Sequence, residues 1–264
     1  MSSKITILGS GTSQGVPTIG CRCEVCRSTD PRDARLRSSA MIEHKGVRLI
    51  IDAGVDFRTQ MLRSGVTHIN GLLLTHEHKD HTGGIDDVRA LNFVDYPESI
   101  NIVKIYATRR TLDVVRKDYD YAFVVDKYRG VPEIDLCEIT PPKPFVIDGC
   151  EVTPISGKHS ARFDVTGFRV ANFAYLTDFK TIEPAEEAKL LGLEVLVVNA
   201  LRFGRHPSHF NVEEALALIS RVKPKRAYLT HMSHDIGLYD YAQSQLPEGV
   251  TFCYDMMEIL IEDE

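Results

Sequence analysis

The sequence predicts an α/β fold of the α+β kind, with two mixed β-sheets sandwiched between helices. Three observations carry this. Short β-rich runs dominate the first half of the chain. The second half alternates strands with helices. Polar residues able to bind metals stand directly after apolar strands, as His81, Asp178 and His231 do. Strands first, then a helix-rich half with strands of its own, is the pattern of layered sheets covered by helices. The edge where strands end is where such folds build their sites.

Taken in order, Ile5–Leu8, Ala40–Glu43 and Val47–Ile51 are strands by their apolar, β-branched content. Asp52-Ala53-Gly54 stops the third, and Phe57–Arg63 is a short helix. Leu72–Thr75 is a buried strand because its apolar run is continuous. Ile85–Leu91 reads as helical and Ile102–Ala107 as a strand. Lys117–Tyr128 holds four aromatics and reads as a helical excursion over one face. Pro141-Pro142-Lys143-Pro144 is a rigid loop. Cys150–Ile155, Phe168–Val170 and Phe173–Leu176 are strands. Then come a helix (Pro184–Leu191), a strand (Val195–Val198) and a helix (Val212–Val222). Asn211 with Glu214 three residues on fits a capping box for the last. Arg226–Leu229 is a strand, Tyr239–Leu246 a helix, and Thr251–Tyr254 and Glu258–Ile261 are closing strands.

Composition narrows the class. The 264 residues are 43% hydrophobic and 26% charged, as in ordinary globular proteins, and fit one domain over 1–264. No apolar run approaches the ~20 residues that span a bilayer. Met1–Leu8 reads as a short tail entering a strand, and the expected compartment is the cytoplasm. A net charge of −6 disfavours a large nucleic-acid surface. No linker, repeat or low-complexity tract divides the chain.

The densest chemistry lies in Thr75-His76-Glu77-His78-Lys79-Asp80-His81. Neutral imidazole and carboxylate suit zinc, manganese or iron. His-x-His on an extended segment points both rings to one side, while Asp80 and His81, at the turn, face a second ion. A two-metal site needs further ligands. His159, Asp178 and His231 each follow a strand; taken singly, such a residue is more often a cap or a hydrogen-bonding surface group.

Together and in this order they resemble the metallo-β-lactamase superfamily, with its His-x-His-x-Asp-His motif, later His, Asp after a strand and last His. That resemblance implies an αββα sandwich with two divalent ions, manganese or zinc, at one edge. It implies His76, His78 and His159 on one ion, Asp80, His81 and His231 on the other, and Asp178 bridging. Asp52 resembles the superfamily's supporting first motif and would orient a ligand histidine or a water; a plain turn aspartate is the alternative. Two ions ~3.5–4 Å apart can lower a shared water's pKa to ~7 and so supply a bridging hydroxide.

Cys21-Arg22-Cys23-Glu24-Val25-Cys26 puts three thiols in six residues. With one more ligand they make a closed tetrahedral zinc site at 21–26, and His234 is the candidate fourth ligand. The preceding Gly9–Gly20 stretch has little structure of its own, so a structural zinc would help fold it. Free or redox-active thiols are the alternative. Cys137, Cys150 and Cys253 read as core. The Gly9-Ser10-Gly11-Thr12 segment followed by this knuckle resembles the phosphodiesterase branch of the superfamily, notably the phosphoribosyl 1,2-cyclic phosphate phosphodiesterases. It lacks the Gly-Lys-Ser/Thr ending of a nucleotide loop.

For a small cyclic phosphodiester, a hydroxide attacks phosphorus in line with the leaving alkoxide, which needs a proton. His209 aligns with the general-acid histidine of the resembled enzymes; His206 is the second candidate. His209 and the ligand Asp80 are the expected catalytic residues. Arg32, Arg35 and Arg37 suit either a phosphate or local ion pairs with Asp30 and Asp33. Tyr119, Tyr121 and Tyr128 suit packing or base stacking. The partner expected is a small phosphodiester, with no membrane and no large nucleic acid; a homodimer stays open. Two other hydrolases share such a metal site: a tRNase Z-like RNA-processing nuclease and a glyoxalase II-like thioesterase or lactonase. The acidic charge disfavours the first, and the knuckle fits the second less well.

Overall fold

A computed structural model describes residues 3–261, so the Met1-Ser2 tail lies outside the described residues. The first half runs β1 (Ser3–Gly9), β2 (Ser39–His44), β3 (Val47–Ile51), α1 (Phe57–Ser64), β4 (Gly71–Leu73), α2 (Lys79–Thr82), α3 (Arg89–Asn92), β5 (Val103–Ala107), α4 (Arg109–Asp118) and β6 (Ile134–Glu138). The second runs β7 (Phe145–Ile147), β8 (Cys150–Lys158), β9 (Asp164–Val170), β10 (Phe173–Leu176), α5 (Pro184–Glu187), β11 (Val195–Asn199), α6 (Val212–Val222), β12 (Arg226–Thr230), α7 (Tyr239–Ser244), β13 (Val250–Phe252) and β14 (Met257–Ile261).

The described strands form two seven-stranded sheets, ordered β14-β1-β2-β3-β4-β5-β6 and β13-β12-β11-β10-β9-β8-β7. Each is antiparallel at one side and parallel at the other, so both are mixed as expected. Two-residue turns close the hairpins: Lys45-Gly46 and Asp148-Gly149 both take positive φ at both positions, the backbone twist that matches paired strands. Alternation along strands assigns the faces. Leu49, Ile51 and Leu73 meet Val152, Phe168 and Tyr175 between the sheets. Ile50, Leu72 and Leu74 point the other way, onto Phe57, Met61, Leu112 and Val115 of α1 and α4. On the second sheet α6 buries Val212, Ala215, Leu218 and Val222 along one stripe. Its N-terminus carries the expected capping box, Asn211 with Glu214.

Several local expectations are corrected. The helix near the tyrosine-rich segment is α4, ending at Asp118; Asp120–Ala122 is one 3-10 turn, and Val124–Tyr128 is loop. Tyr119 ends the helix because its hydroxyl donates to Thr82 O at 2.7 Å, which anchors it under the first sheet. The helical expectation for Ile85–Leu91 holds, as a 3-10 turn at Ile85–Val88 leading into α3. The short strands β6 and β7 were not anticipated: both lie at sheet edges, β6 mixes charged with apolar residues, and β7 is only three residues long. Cys137, read as core, is half buried on edge strand β6, whereas Cys150 and Cys253 are buried. No described helix is long and apolar enough to cross a membrane.

Candidate metal centre

The centre lies where strands of both sheets end. Asp52 follows β3, Asp178 comes two residues after β10, and His231 follows β12, all at positive φ (64°, 64° and 61°). Left-handed backbone at such residues stores about 1–3 kcal/mol each and concentrates at functional sites. The four residues His76 to His81 that bear ligand atoms leave β4 and enter α2. Gly54 lets the turn after β3 lie flat on this loop: a Cβ there would stand 1.9 Å from Asp80 O. Ala53 N donates to His81 O at 2.8 Å across the same contact.

The predicted residues are brought together. His76, His78 and His159 offer nitrogens within 4.8 Å of one another, and in a second group carboxylate oxygens of Asp80 and Asp178 and a nitrogen of His231 lie equally close. His76 Nε2 lies 3.0 Å from His78 Nδ1. His81 Nε2 lies 3.1 Å from Asp80 Oδ2 and 3.2 Å from Asp178 Oδ2, and His231 Nδ1 is 3.2 Å from that same Asp178 oxygen. Asp178 thus stands between the groups. His209 Nδ1 is 3.6 Å from Asp178 Oδ1, and its ring lies 4.6 Å from His159 and 4.9 Å from His231.

Several ligands have their free nitrogens set by outer partners. His81 Nδ1 donates to Asp52 Oδ2 at 2.7 Å, and Asp52 is also held by Thr75 N and Oγ1 at 2.8 and 2.9 Å. With Nδ1 committed there, His81 turns Nε2, a fully buried atom, toward Asp80 and Asp178. A buried imidazole nitrogen between two carboxylates calls for positive charge in the gap, a proton on Nε2 or a divalent metal in its place, so the donor set fits a divalent metal. His159 Nδ1 donates to Ser208 O at 2.8 Å, which leaves Nε2 as acceptor.

Charge follows the same logic. Burial drives His76 well below the usual imidazole range, with His81 adding to the shift, and burial lowers His78 and His231. Burial opposes the charged form of His81, yet Asp178, Asp80 and Asp52 raise it well above its usual value. Burial likewise works against the Asp178 carboxylate, but His231 and His81 hold it well below the carboxylate range. Burial is the main cause that pushes His209 down to about 3, with His231 second. His76, His78 and His231 are thus held neutral and Asp178 anionic, the forms that bind metal.

At the other group, Cys21, Cys23, Cys26 and His234 converge. His234 Nδ1 lies 3.5 Å from Cys21 Sγ and 3.3 Å from Cys23 Sγ. Tetrahedral zinc with Zn–S near 2.3 Å and Zn–N near 2.0 Å separates S and N by about 3.5 Å, so the four could hold such an ion. Backbone N–H groups of Cys23 and Cys26 lower the Cys21 and Cys23 thiols respectively, while burial raises Cys26.

Sequence reasoning missed the supports. Thr75 and the Ser208 carbonyl fix histidines, and Ser38 Oγ lies 3.1 Å from His231 Nδ1 although 193 positions away. Nothing local marks such residues. The arginine trio is ion-paired: Arg32 with Asp30 and Asp240, Arg35 with Asp33, Arg37 with Asp56. Tyr119 packs and Tyr121 bonds to Asp86, while Tyr128 is exposed.

A two-sheet sandwich with this ligand edge is the architecture of a metal-dependent hydrolase. A family profile described as beta-lactamase superfamily domain matches residues 47–232, and the chain belongs to that superfamily. Within it, the branch is the PhnP family: a crystal structure of a new diphosphatase from that family superposes with a TM-score of 0.91 at 36% identity, covering 99% of this chain and 98% of that one. An octanoyltransferase of Porphyromonas gingivalis is 37% identical over 260 residues, 98% of this chain but 51% of the relative, so the chain spans about half that protein's length. Zn(2+)-bound PqqB from Methylobacterium extorquens shares the fold, with a TM-score of 0.76 at 19% identity over 97% of this chain and 99% of that one. The superfamily implies bound divalent metal.

Proposed function

We propose that the chain is a dinuclear metal-dependent phosphodiesterase acting on a small phosphodiester, cyclic ones foremost. His76, His78 and His159 would hold one divalent ion and Asp80, His81 and His231 the other, with Asp178 between them. Such ions would supply an activated water and polarise the phosphoryl oxygens. The observation that carries the reading is His209. Its ring lies against His159 and His231, one from each ligand group, and beside Asp178, and it is not among the seven histidine and carboxylate ligands assigned here. Beyond it, His206, whose ring is 5.0 Å away, borders a cavity of about 510 Å³ with Lys180, Arg205 and Glu214. A leaving group in that cavity would take its proton from His209. The ring is neutral while buried among other histidines, and an anionic phosphodiester beside it favours the imidazolium. Proton donation is thereby linked to arrival of substrate. The similarity to a diphosphatase favours phosphorus over carbonyl carbon as the electrophile. Cys21, Cys23, Cys26 and His234 would hold one structural zinc.

Turnover on a panel tests this: bis-p-nitrophenyl phosphate, cyclic ribose phosphates, 2′,3′-cyclic nucleotides, a diphosphate diester, pre-tRNA, a thioester and an octanoyl acceptor pair. Metal analysis on the same sample should find about three ions per chain, two catalytic and one structural. His209→Asn should lower kcat about 10²–10⁴-fold with metal content intact. Preference for pre-tRNA or the acyl substrates over every small phosphodiester would overturn the reading.

A further inference from the structure

Glu77 and Lys79 alternate with the histidines of the metal loop and do not join the metal groups. Both reach α4. Glu77 Oε1 meets Arg110 Nε at 2.7 Å, and Lys79 pairs with Asp118. The Glu77 side chain is 11% exposed and that of Arg110 50%, so the pair is sheltered on the glutamate side and open to water on the arginine side. Arg110 also reaches the loop that carries His159. Its Nη1 donates to Arg162 O at 3.2 Å, and its guanidinium carbon stands 5.0 Å from the centre of the Phe163 ring. Phe163 in turn accepts from His159 N through its carbonyl at 2.9 Å and sets its ring edge-on to His78 at 5.0 Å.

His78 and His159 come from different sheets, one after β4 and the other after β8. His81 and His159 each have an outer acceptor, Asp52 and the Ser208 carbonyl, whereas the one hydrogen-bonding contact of the His78 ring is to His76. Its outer neighbour is the Phe163 ring, and Arg110 holds that ring in place.

We propose that Arg110 is a positioning residue that sets the spacing of His78 and His159, and so the affinity of the metal position formed by His76, His78 and His159. It touches neither metal nor substrate. The inference rests on the dinuclear reading. Because Arg110 bridges one loop from each sheet, its loss frees His78 and His159 to drift apart. Asp80, His81, Asp178 and His231 keep their own supports and feel little.

Titration of the full chain with Mn²⁺ against a competing chelator tests this in wild type, Arg110→Ala, Arg110→Lys and Glu77→Gln. Arg110→Ala should weaken one of two Mn²⁺ sites about 10–100-fold, the usual effect of removing an outer-sphere support, and leave the other unchanged. Arg110→Lys and Glu77→Gln should fall between. At saturating Mn²⁺ the kcat of Arg110→Ala should recover, with KM unchanged throughout. Wild-type affinity at both sites in Arg110→Ala overturns the inference. So does equal weakening of both sites together with a lowered Tm, the mark of a merely structural residue. A wild type that binds fewer than two Mn²⁺ overturns the dinuclear reading itself.

Discussion

Asp52 offers the sharpest perturbation, because one carboxylate controls a proton position. It is fully buried and accepts from Thr75 N, Thr75 Oγ1 and His81 Nδ1. Asp52→Ala strands donors. The Thr75 hydroxyl can turn to His76 Nδ1, 3.0 Å away, but Thr75 N and His81 Nδ1 have no second acceptor. Two buried orphans at about 1–3 kcal/mol each cost roughly 2–6 kcal/mol. An alanine at φ 64° adds about 1–2 kcal/mol of backbone strain. Asp52→Asn is different. Asparagine tolerates that backbone, and its carbonyl oxygen can still accept from Thr75 N. Its amide then faces His81 Nδ1 as a donor, so His81 must carry its proton on Nε2. There the proton points at Asp80 and Asp178, and no lone pair remains for a cation. Asp52→Asn should therefore unfold within about 1–2 kcal/mol of wild type when both are stripped of metal. Its affinity for one ion should drop at least about 10–100-fold. Urea unfolding, metal titration and nitrogen NMR of the His81 tautomer measure the three quantities. Wild-type metal affinity in Asp52→Asn would refute the tautomer argument, and wild-type stability in Asp52→Ala would refute the burial argument.

Three further expectations follow from the same geometry. Cys23→Ser should release about one zinc per chain and lower Tm, by about 2–4 °C for each kcal/mol lost in a chain of this size; an unchanged zinc count in elemental analysis would remove the knuckle site. Gly54→Ala drives a Cβ to 1.9 Å from Asp80 O, so it should cost about 1–3 kcal/mol and lower metal content at the Asp80 position, read by calorimetry and metal analysis. Asp255, which accepts from Ser10 N, Ser10 Oγ and Leu36 N, is raised by burial to about 6 from 3.8. The folded chain therefore binds more protons than the unfolded one between those values, and the Asp255 contribution to stability is present below about pH 4 and lost as pH rises to about 6. The size is about 3 kcal/mol. Because metal-site protonation affects both proteins alike, the quantity to follow is the stability of wild type relative to Asp255→Asn. It should fall over that window, and a gap that does not move with pH would sink the argument.

Much of the centre was legible because ligand chemistry is local. Three imidazoles and a carboxylate within six residues, placed where an apolar strand stops, specify metal binding whatever surrounds them. The strands themselves were legible where alternation or a continuous apolar run is strong, as in Val47–Ile51 and Val195–Val198. Lys117–Tyr128 was misread because aromatic content signals burial without saying in which element, and the hydroxyl bond from Tyr119 to Thr82 O ends α4 there. Strand β6 escaped notice because it mixes charged with apolar residues at a half-exposed edge, and β7 because three residues are too short a run to carry a pattern.

From the sequence alone came the residue types, their place at strand ends and the knuckle's three thiols, all carried by spacing along the chain. Only the tertiary structure decided which of the scattered polar residues meet. His159, Asp178, His209 and His231 reach the metal loop from the second sheet, across separations that no periodicity encodes. The same is true of the proton on His81, which Asp52 sets through space, and of Arg32, Arg35 and Arg37, which have found carboxylates rather than a phosphate. The same holds for Glu77 and Lys79, whose partners, Arg110 and Asp118, lie on a helix more than thirty positions away. Ligand identity is a property of side chains, whereas ligand geometry is a property of two sheets packed face to face.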